Sequence, residues 1–200
     1  MHKVVNNPDK IKAIRLLDEN YKTFDFGKIA MSRSGKDNEL TRELARGTIE
    51  SDKLNVFLVY TGARKRAPVY SKVPKAVMAA LKLKVVKMGA PDERLMALCN
   101  EVITKTDYHF PYGRLPKGQD AIDRILGKLF AYPTCCINSL VKNREKYKGL
   151  RLSGSKTAQM CAKFGLCEDF LPYFKCSATC KKSKKLAVAV KEYIKLKDSL

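Results

Sequence analysis

Asn55-Val56-Phe57-Leu58-Val59-Tyr60, halted by Thr61-Gly62, is the stretch on which the fold turns. Val56, Phe57, Val59 and Tyr60 are β-branched or aromatic, and the run is shorter than an ordinary helix, so it reads as a buried strand. Downstream, Pro74 stands where a helix over residues 75–81 would begin, and residues 83–88, Leu83-Lys84-Val85-Val86-Lys87-Met88, read as a second strand. Strand, basic loop, short helix and strand make a small βαβ unit within one modest sheet. Upstream, Pro8-Asp9-Lys10 opens a helix with Ile11, Ile14, Leu16 and Leu17 toward one side, and residues 21–36 read as irregular. A further helix is expected from Asp37, with Leu40, Leu44 and Ile49 as its stripe. Another is expected from Pro91, with Leu95, Met96, Cys99, Val102 and Ile103 on its apolar side.

Past a Pro- and Gly-broken aromatic loop at 106–118 the chain changes character. Helices are expected at 119–131, 134–147, 155–164 and 181–197, with no convincing strand. The fold class is therefore α/β (α+β): a small sheet with flanking helices, followed by a helical, Cys-rich C-terminal module. The soft boundary divides 1–118 from 119–200, and the two parts pack as one domain or as two. A chain of 200 residues buries about 70% of its extended surface, so it needs no staple merely to fold. No apolar run reaches the roughly 18 residues of a membrane span. The first eight residues, Met1 to Pro8, lack the apolar core of a secretion signal, which points to the cytoplasm.

Charge gives the first functional clue. Forty Lys and Arg against twenty Asp and Glu leave a net +20, well beyond what solubility requires. The excess is also unevenly placed. No acid lies between Asp52 and Asp92, a stretch that holds Lys53, Arg64, Lys65, Arg66, Lys72, Lys75, Lys82, Lys84 and Lys87. Between Asp169 and Glu192 the same is true around Lys175, Lys181, Lys182, Lys184, Lys185 and Lys191. Single-sign stretches create a field, and nucleic acid is the commonest polyanion to answer it. Arg64, Lys65 and Arg66 beside Tyr60 and Tyr70 combine phosphate contacts with stacking surfaces. Lys72 and Lys75 extend that set. The loop carrying Tyr108, His109, Phe110, Tyr112 and Arg114 is a second stacking candidate. The plain alternative is a solvated basic loop beside core tyrosines.

Six of the seven cysteines fall in the last third of the chain. Cys99, outside that group, reads as a core residue. Pro133-Thr134-Cys135-Cys136 places two thiols at a helix start, where free N–H groups and the dipole favour thiolate. Cys176-Ser177-Ala178-Thr179-Cys180 has ligand-like spacing, with both sulfurs on one face if helical. Together Cys135, Cys136, Cys176 and Cys180 make a candidate four-thiolate site for zinc or an iron–sulfur cluster. Disulfides among them, and inert or catalytic thiols, remain open alternatives. Cys161 and Cys167 read as core thiols.

Two segments carry a resemblance. Gly127-Lys128-Leu129-Phe130-Ala131-Tyr132-Pro133-Thr134-Cys135-Cys136, followed by Cys176-Ser177-Ala178-Thr179-Cys180-Lys181-Lys182-Ser183, resembles an uncharacterised, mainly archaeal domain-of-unknown-function family. Its members show G-x-L-x-G-Y-P-x-C-C and then P-C-S-x-x-C-x-x-S. The match covers the C-terminal third and singles out Tyr132, Pro133, the four cysteines, Ser177 and Ser183. Ala131 stands where the family has Gly, and Lys175 where it often has Pro. The resemblance implies that the four cysteines belong together, and it implies no activity.

Other motifs fail on their context. Gly149 to Thr157 approaches a phosphate-binding P-loop, but Gly154 and Lys156 are split by Ser155 and no buried strand precedes them. At most Ser153-Gly154-Ser155-Lys156-Thr157 would hold one phosphate of a larger ligand. No paired-carboxylate, HExxH, GxSxG or GxGxxG signature occurs. The expectation is an RNA-binding protein with a Cys-stapled or metal-bound module. Its partner would be tRNA or ribosomal RNA, the second bringing in the ribosome. RNA is preferred to duplex DNA because no helix-turn-helix or zinc-finger spacing is present. The lysines Lys181, Lys182, Lys184 and Lys185 join the expected interface. The contrary class is a thiol- or metal-dependent enzyme, zinc or iron–sulfur, acting on nucleic acid. Oligomeric state is not legible.

Overall fold

The computed structural model describes residues 8–21, 39–69, 71–87, 101–108, 117–143, 175–177 and 179–200. Its elements are α1 (Pro8–Tyr21), α2 (Glu39–Tyr60), β1 (Arg66–Val69), α3 (Lys75–Ala80), β2 (Lys84–Lys87), β3 (Glu101–Thr104), α4 (Gln119–Leu129), α5 (Thr134–Lys142) and α6 (Lys181–Lys197). The architecture is α+β, a three-stranded antiparallel sheet with flanking helices. Two compact units are present: Met1–Arg114 with Glu192–Leu200, and Leu115–Lys191. Relative to a division at 119, the residues from Glu192 onward group with the first unit. Among the described residues no helix is long and apolar enough to cross a membrane.

Residues 55–60 are not a strand. They form the last turns of α2, and Gly62, at φ +76°, ends that helix. Val56, Phe57, Leu58 and Val59 are all buried, so the segment is apolar on every side and carries no amphipathic period. A short apolar run of that kind suits a buried strand or a buried helix equally, and composition alone misassigns it. α2 packs on α1, β1 and β3 and runs through the middle of the unit.

The first strand instead lies in the basic segment, at Arg66–Val69. The sheet order is β1-β3-β2. Arg66 pairs with Thr104 and Val69 with Glu101; on the other side Lys84 pairs with Thr104 and Lys87 with Glu101. Both neighbours are antiparallel to β3, so β1 and β2 run parallel with β3 inserted between them. The connection through α3 is thus a split βαβ unit rather than the contiguous one expected. Val102 and Ile103, expected from sequence in a helix starting at Pro91, belong to β3. Residues 88–100, with Pro91 and Cys99, lie outside the described residues, as do 22–36 and the expected helix at 155–164.

Ala67, Val69, Ile103 and Val85 turn one sheet face toward Ile14 and Leu17 of α1, Phe57 of α2 and Val77 of α3. The ring of Tyr193 meets Phe57 at 5.0 Å between centroids. Lys10 bonds both carboxylate oxygens of Glu192 at 2.7 and 2.8 Å. Glu50 accepts from Lys53 at 2.9 Å and from Lys197, and Lys53 also meets Asp18 at 2.8 Å. These pairs fasten the final residues onto α1 and α2. Asp52, fully buried, accepts from the backbone N–H and hydroxyl of Ser71 at 2.7 and 2.5 Å, tying α2 to the approach to α3.

In the second unit α4 and α5 pack so closely that a Cβ on Gly127 would stand 2.6 Å from Cγ1 of Ile137. The chain leaves α4 through Ala131 at φ +55°. Ala131 N–H bonds Lys128 O at 3.1 Å and Tyr132 N–H bonds Gly127 O at 2.8 Å, the paired closure of a Schellman end. Glycine is favoured at that left-handed position, which alanine holds here.

Candidate metal centre and nucleic-acid interface

Four sulfurs meet in the second unit. Pro133 precedes the first turn of α5 and accepts from Cys136 N–H at 2.9 Å and Ile137 N–H at 3.0 Å. This sets Cys135 and Cys136 at the positive end of the helix. Cys180 stands immediately before α6, its carbonyl taking the N–H of Lys184 at 2.9 Å. Two helix N-termini therefore supply thiols to the same cluster, and Cys176 completes it from the segment before α6.

The sulfur atoms of Cys135, Cys136, Cys176 and Cys180 all lie within 4.8 Å of one another. Cys135 to Cys136 is 3.9 Å, Cys135 to Cys180 is 3.8 Å and Cys136 to Cys180 is 3.7 Å. All four are free thiols in this structure, their sulfurs well beyond the roughly 2.05 Å of a disulfide bond. Thiolates bound about 2.3 Å from one tetrahedral ion stand about 3.8 Å apart. The four cysteines can hold a metal ion.

The donors around the sulfurs are asymmetric. Ser183, fully buried, lies 3.4 Å from the Cys136 sulfur and donates to the Cys180 sulfur at 3.3 Å. Burial pushes the Cys136 thiol up to about 12, reinforced by Cys180 and Cys135, against donation from the Ser183 hydroxyl and the Cys176 backbone. Burial acts on Cys180 in the same direction. There it is outweighed by the Ser183 hydroxyl and backbone N–H and by the Cys176 and Cys136 thiols, which bring it down to about 6. Burial, with the Cys180 and Cys135 thiols, raises Cys176, against the Cys136 thiol.

The expected phosphate-binding residues separate into distinct groups. Arg64 is 4% exposed, and its guanidinium donates to Asn55 Oδ1 at 2.9 Å while Asn55 Nδ2 donates to Pro68 O at 3.0 Å. It ties α2 to β1 and does not offer its charge to a ligand; a run of three cations gives no sign of which one turns inward. Lys53 is likewise buried among carboxylates. Lys65, Lys72 and Lys75 are exposed, and Arg66 is half-buried. Lys181, Lys182, Lys184 and Lys185 are exposed on the first turns of α6. Tyr70, His109, Phe110, Tyr112, Arg114, Cys161, Cys167 and the segment 153–157 lie outside the described residues.

One association was not anticipated. The Arg66 guanidinium lies over the Tyr108 ring, 3.9 Å from its centroid, and Lys105 Nζ stands 5.3 Å from the Tyr60 ring centroid. Lys84 meets Asp107 at 2.6 Å. The basic loop and the start of the aromatic loop, read from sequence as separate clusters, thus meet at one end of the sheet. The signal in the sequence is the placement of Lys105 and Tyr108 just past β3, which an apolar spacing that also suits a helix over residues 102 and 103 conceals.

Comparison with protein-family models, curated proteins and solved structures gives no match to this chain.

Proposed function

We propose that the chain is an RNA-binding protein whose second unit is stapled by one zinc ion on Cys135, Cys136, Cys176 and Cys180. The observation that carries the staple is that the four sulfurs lie within 4.8 Å of one another, with those of Cys135, Cys136 and Cys180 3.7–3.9 Å apart, close to the edge length of a single-ion tetrahedron. An iron–sulfur cluster distributes its thiolates over different irons and needs them farther apart. Four protein ligands also close the coordination sphere, which suits a structural ion better than a catalytic one.

The RNA reading is supported by the net +20 charge and by where the centre sits. The helix that begins just after Cys180 displays Lys181, Lys182, Lys184 and Lys185 to solvent, so a staple there orders a cationic surface. Transfer RNA and ribosomal RNA are the classes proposed, in the cytoplasm. Kinship with the archaeal family of unknown function is part of the same proposal, and the clustering of its four cysteines supports it.

Purifying the full chain at low salt tests both parts. About one zinc per chain, no visible colour, and RNA released as salt rises are expected. Chelation or Cys176→Ser should then speed proteolysis just after Lys181. Iron with a coloured preparation would overturn the zinc assignment. A chain that neither carries nor takes up RNA at low salt would overturn the partner.

A further inference from the structure

The end of the sheet at which β1 begins and β3 finishes is built from residues far apart in the chain. Arg66, Thr104 and Lys84 lie side by side in one row across the three strands. Lys65 precedes that row and Lys105 follows it, both exposed, and Thr104 Oγ1 approaches Lys65 O at 3.4 Å. The row is flanked by two tyrosines, Tyr108 under the Arg66 guanidinium and Tyr60 near Lys105. Asp107 also stands there, and Lys84 meets it at 2.6 Å.

An Arg plane held against an aromatic ring loses little freedom on binding and offers a flat surface to a base. Lys65, next to Arg66 in the chain, and Lys105, three residues before Tyr108, are exposed cations at the same end of the sheet and suit a phosphate chain. A duplex hides its base faces, so this combination selects unpaired nucleotides. We infer that Lys65, Arg66, Lys105 and Tyr108 form a seat for unpaired RNA, with a base stacked on the Arg66–Tyr108 pair and phosphates on Lys65 and Lys105. This inference rests on the RNA reading above and gives it a location and a strandedness.

The chain contains no tryptophan, so Tyr108→Trp installs a single fluorophore at the seat. The full zinc-loaded protein would be titrated with a single-stranded oligouridylate, with a fully paired RNA duplex of equal length, and with polyglutamate. Quenching by the single strand alone is expected. In the otherwise native chain, Tyr108→Leu or Arg66→Gln should lower single-strand affinity about tenfold, the loss of one stacked base. Lys65→Ala, an exposed change that spares the fold, should make binding less sensitive to salt. Equal quenching by the duplex overturns the strandedness, and equal quenching by polyglutamate assigns the surface to an acidic protein. Tight single-strand binding with no quench and no effect of Tyr108→Leu places RNA elsewhere and leaves the broader reading intact. No RNA bound at low salt removes both.

Discussion

Ala131 holds a left-handed backbone, φ +55°, at the exit of α4, a conformation that costs an L residue roughly 1–2 kcal/mol. Glycine removes that strain but enlarges the entropy of the unfolded chain. The net expectation for Ala131→Gly is a gain of about 0.5–1 kcal/mol, seen as a higher melting temperature with zinc retained. A lower melting temperature would mean that the alanine methyl makes a contact worth more than the strain. Single residues were unevenly legible. Cys135, Cys136, Cys176 and Cys180 declared themselves because six of seven cysteines crowd into the last third, a bias that ordinary composition does not produce. Arg64 and Lys65 were indistinguishable, since adjacent cations differ only in which way the chain turns them, and that follows from the Asn55 amide waiting inside. The Schellman exit is likewise invisible where alanine replaces the glycine that would mark it.

At the scale of elements, the cysteine cluster depends on how closely α5 approaches α4. Gly127 faces Ile137, whose neighbour in the chain is Cys136 of that cluster. An alanine there would bring its Cβ to 2.6 Å from Ile137 Cγ1 and 2.7 Å from Cδ1, distances no real pair holds, so α5 or the Ile137 rotamer must yield. Overpacking of this kind costs about 1–3 kcal/mol. If the proposed zinc staple is right, Gly127→Ala should lower stability and weaken zinc retention in competition with a chelator, and Gly127→Ala with Ile137→Val should restore part of both. Retention unchanged in the single variant would show that the ligand pair is positioned independently of the α4 contact. The helices α4 and α5 were readable because their apolar period and Pro133 agree. The end of α2 was not, because Val56 to Val59 are buried all round and leave no period to read. A strand at residues 55–60 leaves no place for the first strand the fold has, Arg66–Val69, whose cations give it the look of a loop.

For the molecule as a whole, the net charge of +20 is read directly from the chain, but its working share is smaller than the count. Arg64 is bonded to Asn55, Lys53 to Asp18 and Glu50, Lys197 to Glu50, and Lys10 to Glu192. These charges organise the fold of the first unit and contribute little field. The exposed lysines are the ones that can release counterions from a nucleic acid. Removing one phosphate-bound lysine flattens the dependence of log affinity on log salt by about 0.7 for a single strand. Two variants of similar chemistry should therefore part company. Arg64→Ala strands the buried Asn55 carbonyl and should cost about 1–3 kcal/mol of stability, while leaving the salt slope of RNA binding where it was. Replacing Lys181, Lys182, Lys184 and Lys185 together by Ala should leave stability nearly unchanged, since surface substitutions shift it by only about 0.5 kcal/mol each. That variant should also flatten the slope by up to about 3 if all four meet phosphate. Filter binding across a salt series, with thermal melts on the same samples, separates the two. A slope altered by Arg64→Ala would mean that its charge does meet phosphate, and one indifferent to the four lysines would remove the start of α6 from the proposed RNA interface.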